Sequence, residues 1–253
     1  MSMKNPLEMQ FIEYEEKAFR NPIMVAGLPD VGLVGAIATV HLVRELNLKE
    51  HGYAYYDLIP PVMLLHDGEL KAPVRLYAND SIIALISEIA LPTQTVIALS
   101  KKIVEWTKEK NGKYIIMLSG LGVPNRVDIE EPKVYGVATT EETKKLLKEH
   151  GIEALQEGFI AGANALILRE CIKLKIPGIL LLAESFMEFP DPAAAASTLK
   201  AFSKISGIDV NVQKLMEKAE EIRLKARELM RRTQRQLKAM KKLQESEVPL
   251  MYT

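Results

Sequence analysis

Through about residue 206, short apolar runs alternate with stretches whose apolar positions recur every third or fourth residue. The run 23–26 (Ile-Met-Val-Ala) is partly β-branched and is followed at once by Gly27, which predicts a buried strand. Leu33, Ile37, Val40 and Val43 then mark one face of a helix over 33–46. Strands are predicted at 53–56 and 62–65, on either side of the stiff Pro60-Pro61 pair. Asp67-Gly68 reads as a hairpin-type turn, with two further strands at 74–77 and 82–86. A helix over 95–110 holds the one tryptophan, Trp106, and a strong strand over 114–118 ends in a loop at 119–122. A strand at 134–138, helices at 141–150 and 164–174, and a continuous apolar strand at 178–183 follow. Asp191 as N-cap and Pro192 at the first helical position open a helix that takes in 193–203. The alternation predicts an α/β fold, a mostly parallel sheet flanked by helices, as a core domain over 1–206. The crowd of strands between Tyr53 and Ile86 adds an antiparallel part.

The pattern changes at about Gln213. Residues 213–245 contain no glycine or proline, and Leu215, Ile222, Leu229 and Leu243 fall on a seven-residue spacing that Gln236 breaks. Ala219, Ala226 and Met240 hold the interleaved position, with Thr233 the exception. This predicts a coiled-coil-like helix, on the order of 50 Å long at 1.5 Å per residue, that packs near its start and then projects. The segment 207–247 is read as this helical appendage. Its distal half is basic: Arg231, Arg232, Arg235, Lys238, Lys241 and Lys242 run without an acidic interruption. They complement the C-terminal helix dipole, and they can also steer the protein toward an acidic partner surface. Pro249 disfavours helical geometry at Val248, which leaves 248–253 as a short leash. At its end stand Met251, Tyr252 and Thr253, an apolar side chain, a phenol and a terminal carboxylate, a compact key for a docking pocket.

Composition narrows the partners. Lys plus Arg and Asp plus Glu each number 33 in the 253 residues, so no net charge draws the chain to nucleic acid or anionic lipid. Aromatic residues are 6%, which argues against a base-stacking platform. The single cysteine, Cys171, lies in an apolar run, excludes an internal disulfide framework and fits a reducing cytoplasm. No apolar run approaches the ~20 residues that span a bilayer, and the N-terminal residues lack a secretory apolar region.

Candidate chemistry is sparse. The stretch from Gly27 to Gly35 follows a strand and opens a helix, where a glycine-rich turn could cradle phosphate. Its spacing matches neither a dinucleotide fingerprint nor a P-loop, and tight strand–helix packing explains the glycines equally well. His41, His51, His66 and His150 have no metal-ligand spacing, so no metal and no cofactor is expected. Glu184 and Glu188 flank the end of the last strand and could form an acid–base pair. Hydrogen bonding by Glu184 around the Pro190-Asp191-Pro192 turn is the competing role. The alternative function is therefore a nucleoside- or nucleotide-binding enzyme using a cleft near Gly27, Gly35 and Glu184, while no constellation of residues amounts to an active site.

Three pieces of the chain together resemble the proteasome assembly chaperone family, in particular archaeal homologues of the second eukaryotic assembly chaperone. They are Gly27-Leu28-Pro29-Asp30-Val31-Gly32-Leu33-Val34-Gly35, Ser119-Gly120, and Ala183-Glu184 followed by Pro190-Asp191-Pro192-Ala193-Ala194. The resemblance implies an α/β fold related in shape to nucleoside phosphorylases, without an established catalytic centre. It implies homo- or hetero-oligomeric binding proteins that act on the 20S proteasome core particle, and this chain is expected to be an ATP-independent chaperone or activator built as a homo-oligomer, tetrameric or pentameric. The family's hydrophobic–tyrosine–any tail maps onto Met251, Tyr252 and Thr253, which would enter pockets between adjacent α-subunits. Met is softer than the usual leucine or isoleucine there, and fills irregular pockets well.

Overall fold

The computed structural model describes residues 8–247. Its strands are β1 (Gln10–Glu13), β2 (Ile23–Gly27), β3 (Lys49–Tyr55), β4 (Leu64–His66), β5 (Glu69–Lys71), β6 (Val74–Ala78), β7 (Ile82–Ser87), β8 (Tyr114–Gly122), β9 (Val134–Ala138), β10 (Glu153–Ala154) and β11 (Gly178–Ser185). Its helices are α1 (Val34–Glu45), α2 (Thr93–Glu109), α3 (Glu141–Glu149), α4 (Gly162–Leu174), α5 (Pro192–Ser206), α6 (Gln213–Glu217) and α7 (Ala219–Glu247).

The most apolar runs take the middle of one sheet, in the order β1-β3-β6-β7-β2-β8-β11-β9-β10. β7, β2, β8 and β11 run parallel to one another, as strands buried on both faces should. β1, β3 and β6 form the expected antiparallel wing, and β9 also runs antiparallel to β11. Period-two alternation divides the strands between two cores. Val25, Ile116, Leu118 and Leu181 face α1, α5, α6 and α7, whereas Met24, Ile115, Met117 and Leu180 face α2 and α4. β4 and β5 stand apart as a hairpin whose Asp67 and Gly68 both take positive φ.

Two readings of the sequence need correction, and one strand went unread. Residues 119–122 are strand, not loop, because Leu182–Ser185 of β11 pairs with Ser119–Gly122 and carries β8 onward. β1 had no sequence signal: its register with β3 and the edge contact of Phe11 with Trp106, 5.4 Å between ring centroids, hold it in place. The C-terminal helix is broken at Lys218 into α6 and α7 without a glycine or proline.

The seven-residue spacing also has a different meaning from a projecting seam. Leu215 is buried in the core, and Ile222, Ala226 and Leu229 pack against it. Met230 and Thr233 are each 2% exposed, so α7 stays docked well past its start. Gln234 fastens it further by donating a 2.8 Å hydrogen bond from Nε2 to the Glu188 carbonyl. The apolar positions that suggest a coiled coil are, for these turns, an intramolecular stripe. Among the described residues, no helix is long and apolar enough to cross a membrane.

Candidate functional site

The carboxyl ends of β2, β8 and β11 converge where α/β folds usually place their sites. β2 leads into the glycine-rich turn, and the glycines there are explained by backbone contact. A Cβ on Gly35 would lie 2.1 Å from the Leu118 carbonyl oxygen, and one on Gly27 would lie 2.2 Å from the Gly35 carbonyl oxygen. Gly32 has φ of +61°, and a Cβ there would meet the Ser185 hydroxyl at 2.0 Å. The turn therefore serves close strand–helix packing, the competing explanation offered by its spacing.

Asp30 sits inside this turn, half-buried as a residue, with its carboxylate Oδ1 shut off from solvent. Ser119 Oγ donates a short hydrogen bond to its Oδ2, and Asn164 Nδ2 donates to the same oxygen at 3.1 Å. Oδ1 has no hydrogen-bond partner in the structure. Burial pushes the Asp30 carboxyl up to about 7, against the opposing pull of the hydrogen bonds from Ser119 and Asn164. Beside it lies a cavity of about 50 Å³, lined by Leu28, Ala163, Asn164 and, from α7, Thr233. That is room for a water or two, against the ~300 Å³ or more of a ligand pocket. α7 thus lids the cleft that a nucleoside-binding reading would require.

A second buried charge locks the other side. Arg126 donates to both oxygens of Asp191, from Nε at 2.7 Å and from Nη2 at 3.0 Å, and from Nη1 to the Ile129 carbonyl at 2.5 Å. Asp191 caps α5 as predicted, accepting from the Ala194 N–H at 3.1 Å and also from the Phe186 N–H at 3.2 Å. Its own N–H donates to Gly32, tying the start of α5 to the glycine turn. Neither Arg126 nor Ser119 was singled out for this role in the sequence, because both act across long stretches of chain. Glu184 does not serve the Pro190-Asp191-Pro192 turn; its Oε2 accepts from the Lys133 backbone N–H at 2.9 Å. Glu188 is exposed on the surface nearby. Among the described residues, no group of three or more His, Cys, Asp or Glu could hold a metal ion. Burial, and next the Glu170 charge, push the Cys171 thiol up to about 12, which leaves it inert.

Outside this locked region lies an open groove of about 560 Å³ between α7 and the turn joining β11 to α5. Phe186, Phe189 and Leu224 supply its apolar surface, and Arg223, Arg227 and Arg231 recur along one wall. Of the predicted basic positions, Arg231 and Arg232 both pair with Glu228, at 2.9 and 3.0 Å. Arg235 and Lys238 are exposed, and Lys241 and Lys242 fall within α7. Met251, Tyr252 and Thr253 lie outside the described residues.

Comparison with known proteins gives this arrangement a context. The chain is 34% identical to an uncharacterized protein of Methanocaldococcus jannaschii, over 92% of this chain and 94% of the relative. It is similar to the crystal structure of Pyrococcus furiosus PbaA, an archaeal homolog of proteasome-assembly chaperone. The TM-score is 0.84 and the identity 32%, with 90% of this chain and 98% of PbaA covered. It is also similar to P. furiosus PbaB, an archaeal proteasome activator, with TM-score 0.74, identity 26%, and coverage of 88% of this chain and 98% of PbaB. The sequence matches the PAC2 family over residues 24–230, and the chain belongs to that family.

Proposed function

We propose that this protein is an ATP-independent chaperone or activator of the 20S proteasome core particle. It binds by inserting Met251, Tyr252 and Thr253 into pockets between adjacent subunits of the α-ring. The observation that carries the reading is the likeness to PbaA and PbaB over nearly the whole chain. The tail agrees with it in chemistry: an apolar residue for a pocket, a ring with a hydroxyl and a carboxylate for a cation. The basic positions Arg231, Arg232, Arg235, Lys238, Lys241 and Lys242 steer the approach to an acidic surface, an effect that salt screens.

One tripeptide buries little surface, so the protein acts as a homo-oligomer that offers several tails at once. Linked copies gain roughly 10²–10⁴-fold in avidity through effective concentration. The β4–β5 hairpin supports self-association, since Leu65 and Leu70 are each 70% exposed on it and Met63, just before it, is 59% exposed. Co-sedimentation with purified archaeal-type 20S particles tests the proposal. The intact chain should travel with the particles and a chain lacking residues 251–253 should not. Equal co-sedimentation of the two would sink the tail mechanism. Peptide hydrolysis in the same samples separates the roles: stimulation marks an activator, binding without stimulation an assembly chaperone.

A further inference from the structure

The open groove beside α7 joins an aromatic shelf to a row of cations. Phe186 and Phe189 stand on the turn between β11 and α5, and Leu224 lines the α7 side. Phe189 and Leu224 are 64% and 67% exposed. Phe186 meets Phe189 nearly at right angles, with 6.4 Å between ring centroids. Phe186 is braced in turn by Arg126, whose guanidinium carbon lies 5.0 Å from its centroid. Phe189 is thus a held ring with open surface, on which a planar aromatic ligand can stack.

Arg223, Arg227 and Arg231 stand in file on α7 at four-residue steps, about 6 Å apart along the axis at 1.5 Å per residue. Arg223 pairs with Glu220 and Arg231 with Glu228, whereas Arg227 makes no ion pair among the described residues. Glu188 and Glu220 also line the groove, and three arginines against two glutamates leave it net cationic. Its volume of about 560 Å³ falls within the roughly 300–1,000 Å³ of small-molecule sites.

A cationic row alone suits any polyanion, and an aromatic shelf alone suits any flat ring. In one groove they suit a ligand that carries both. We infer that the groove binds a nucleoside triphosphate, its base on Phe189 and its phosphates along the three arginines. Guanidinium forks match phosphate oxygens, and Arg227 has its donors to give. Glu188 supplies an acceptor for an N–H group of the base. The small cavity beside Asp30, with room for a water or two, takes no part. A ligand held by both α7 and the β11–α5 turn also fastens α7 to the core. The step is binding alone, with no bond broken, so it is compatible with a chaperone that hydrolyses no ATP, and neither reading rests on the other.

Calorimetric titration of the full-length chain with ATP, adenosine and inorganic tripolyphosphate, each alone, tests the site. ATP should bind saturably, about tenfold or more tighter than either fragment, because stacking and charged hydrogen bonds each contribute on that scale. Phe189→Ala and Arg227→Glu should each weaken ATP about tenfold or more. Arg169→Glu, the same charge change on an exposed side chain of α4 across the sheet, should leave ATP binding unchanged. Absence of saturable ATP binding overturns the inference, as does ATP binding indifferent to Phe189→Ala or Arg227→Glu. Tripolyphosphate binding as tightly as ATP, or an equal loss in Arg169→Glu, also overturns it and leaves a general anion patch. A single-stranded RNA that binds more tightly than ATP through the same two side chains overturns it in favour of nucleic acid. Leu224→Ala, on the α7 side of the groove, repeats the test if Phe189→Ala alters the melting temperature.

Discussion

Arg126 and the arginines of α7 lie close together, on either side of Phe186, yet they do opposite work. Arg126 is 5% exposed and spends its donors on Asp191 and the Ile129 carbonyl. Arg227 and Arg231 are exposed, and Arg231 shares a single glutamate with Arg232. A buried guanidinium must be fully paired or the fold suffers, whereas a solvated one contributes little to stability and stays available to a partner. The carboxylates divide in the same way. Asp191 and Asp30 hold the turns at the strand ends, and Glu228 only balances charge on the helix surface. The strand-end region is thus a lock that seats α7, and the outer face of α7 is the part free to meet another protein.

The largest expected effect breaks the lock. Arg126→Ala strands the buried Asp191 carboxylate and should cost about 3–5 kcal/mol in chemical denaturation, as removal of one partner from a buried pair does. A loss within the range of a surface arginine would erase the distinction. Gly35→Ala comes next, because its Cβ would stand 2.1 Å from a backbone oxygen that cannot rotate away. Overpacking of that kind should cost about 3 kcal/mol, readable as a lower melting temperature, and an unchanged melting temperature would assign the glycine to something other than packing.

Asp30 sharpens the comparison through pH. Its folded value of about 7 lies above the ordinary 3.8, so the native state holds this proton more tightly than the unfolded chain. Stability is therefore fully present below the ordinary carboxylate range and is lost as pH rises toward about 7. Relative to Asp30→Asn, the native protein should lose on the order of 2 kcal/mol between about pH 5 and about pH 8. Parallel pH profiles of the two proteins would show that Asp30 titrates like an exposed carboxylate. The smallest effect belongs to α7: Arg227→Ala should change stability by no more than about 0.5 kcal/mol. A loss of several times that size would mean that the stripe is part of the lock.

Much of this division could be read in the sequence, and the rest needed the third dimension. Local signals were reliable where the cause is local. Asp191 and Pro192 start α5 because a capping oxygen and a fixed φ act within one turn. The central strands followed from short apolar runs. Helix periodicity found the stripe of Leu215, Ile222, Ala226 and Leu229, but periodicity alone cannot say whether a stripe meets another subunit or its own core. Nothing in the sequence joined Arg126, Ser119 or Asn164 to its partner, which lies 65, 89 and 134 positions away. The extension of β8 past Leu118 was hidden for the same reason: Ser119 and Gly120 are strand because β11 pairs with them. The glycine turn was legible as a site of close approach, but only the coordinates name Leu118 and Gly35 as what comes close.

The central claim is that the core is a scaffold and the tail is the working part. Binding of the full-length chain to immobilised 20S particles, compared with Tyr252→Ala at matched melting temperature, tests it most directly. The account predicts saturable binding by the intact chain and loss to background for Tyr252→Ala. Equal binding by the two proteins would contradict it and move the contact onto the folded core.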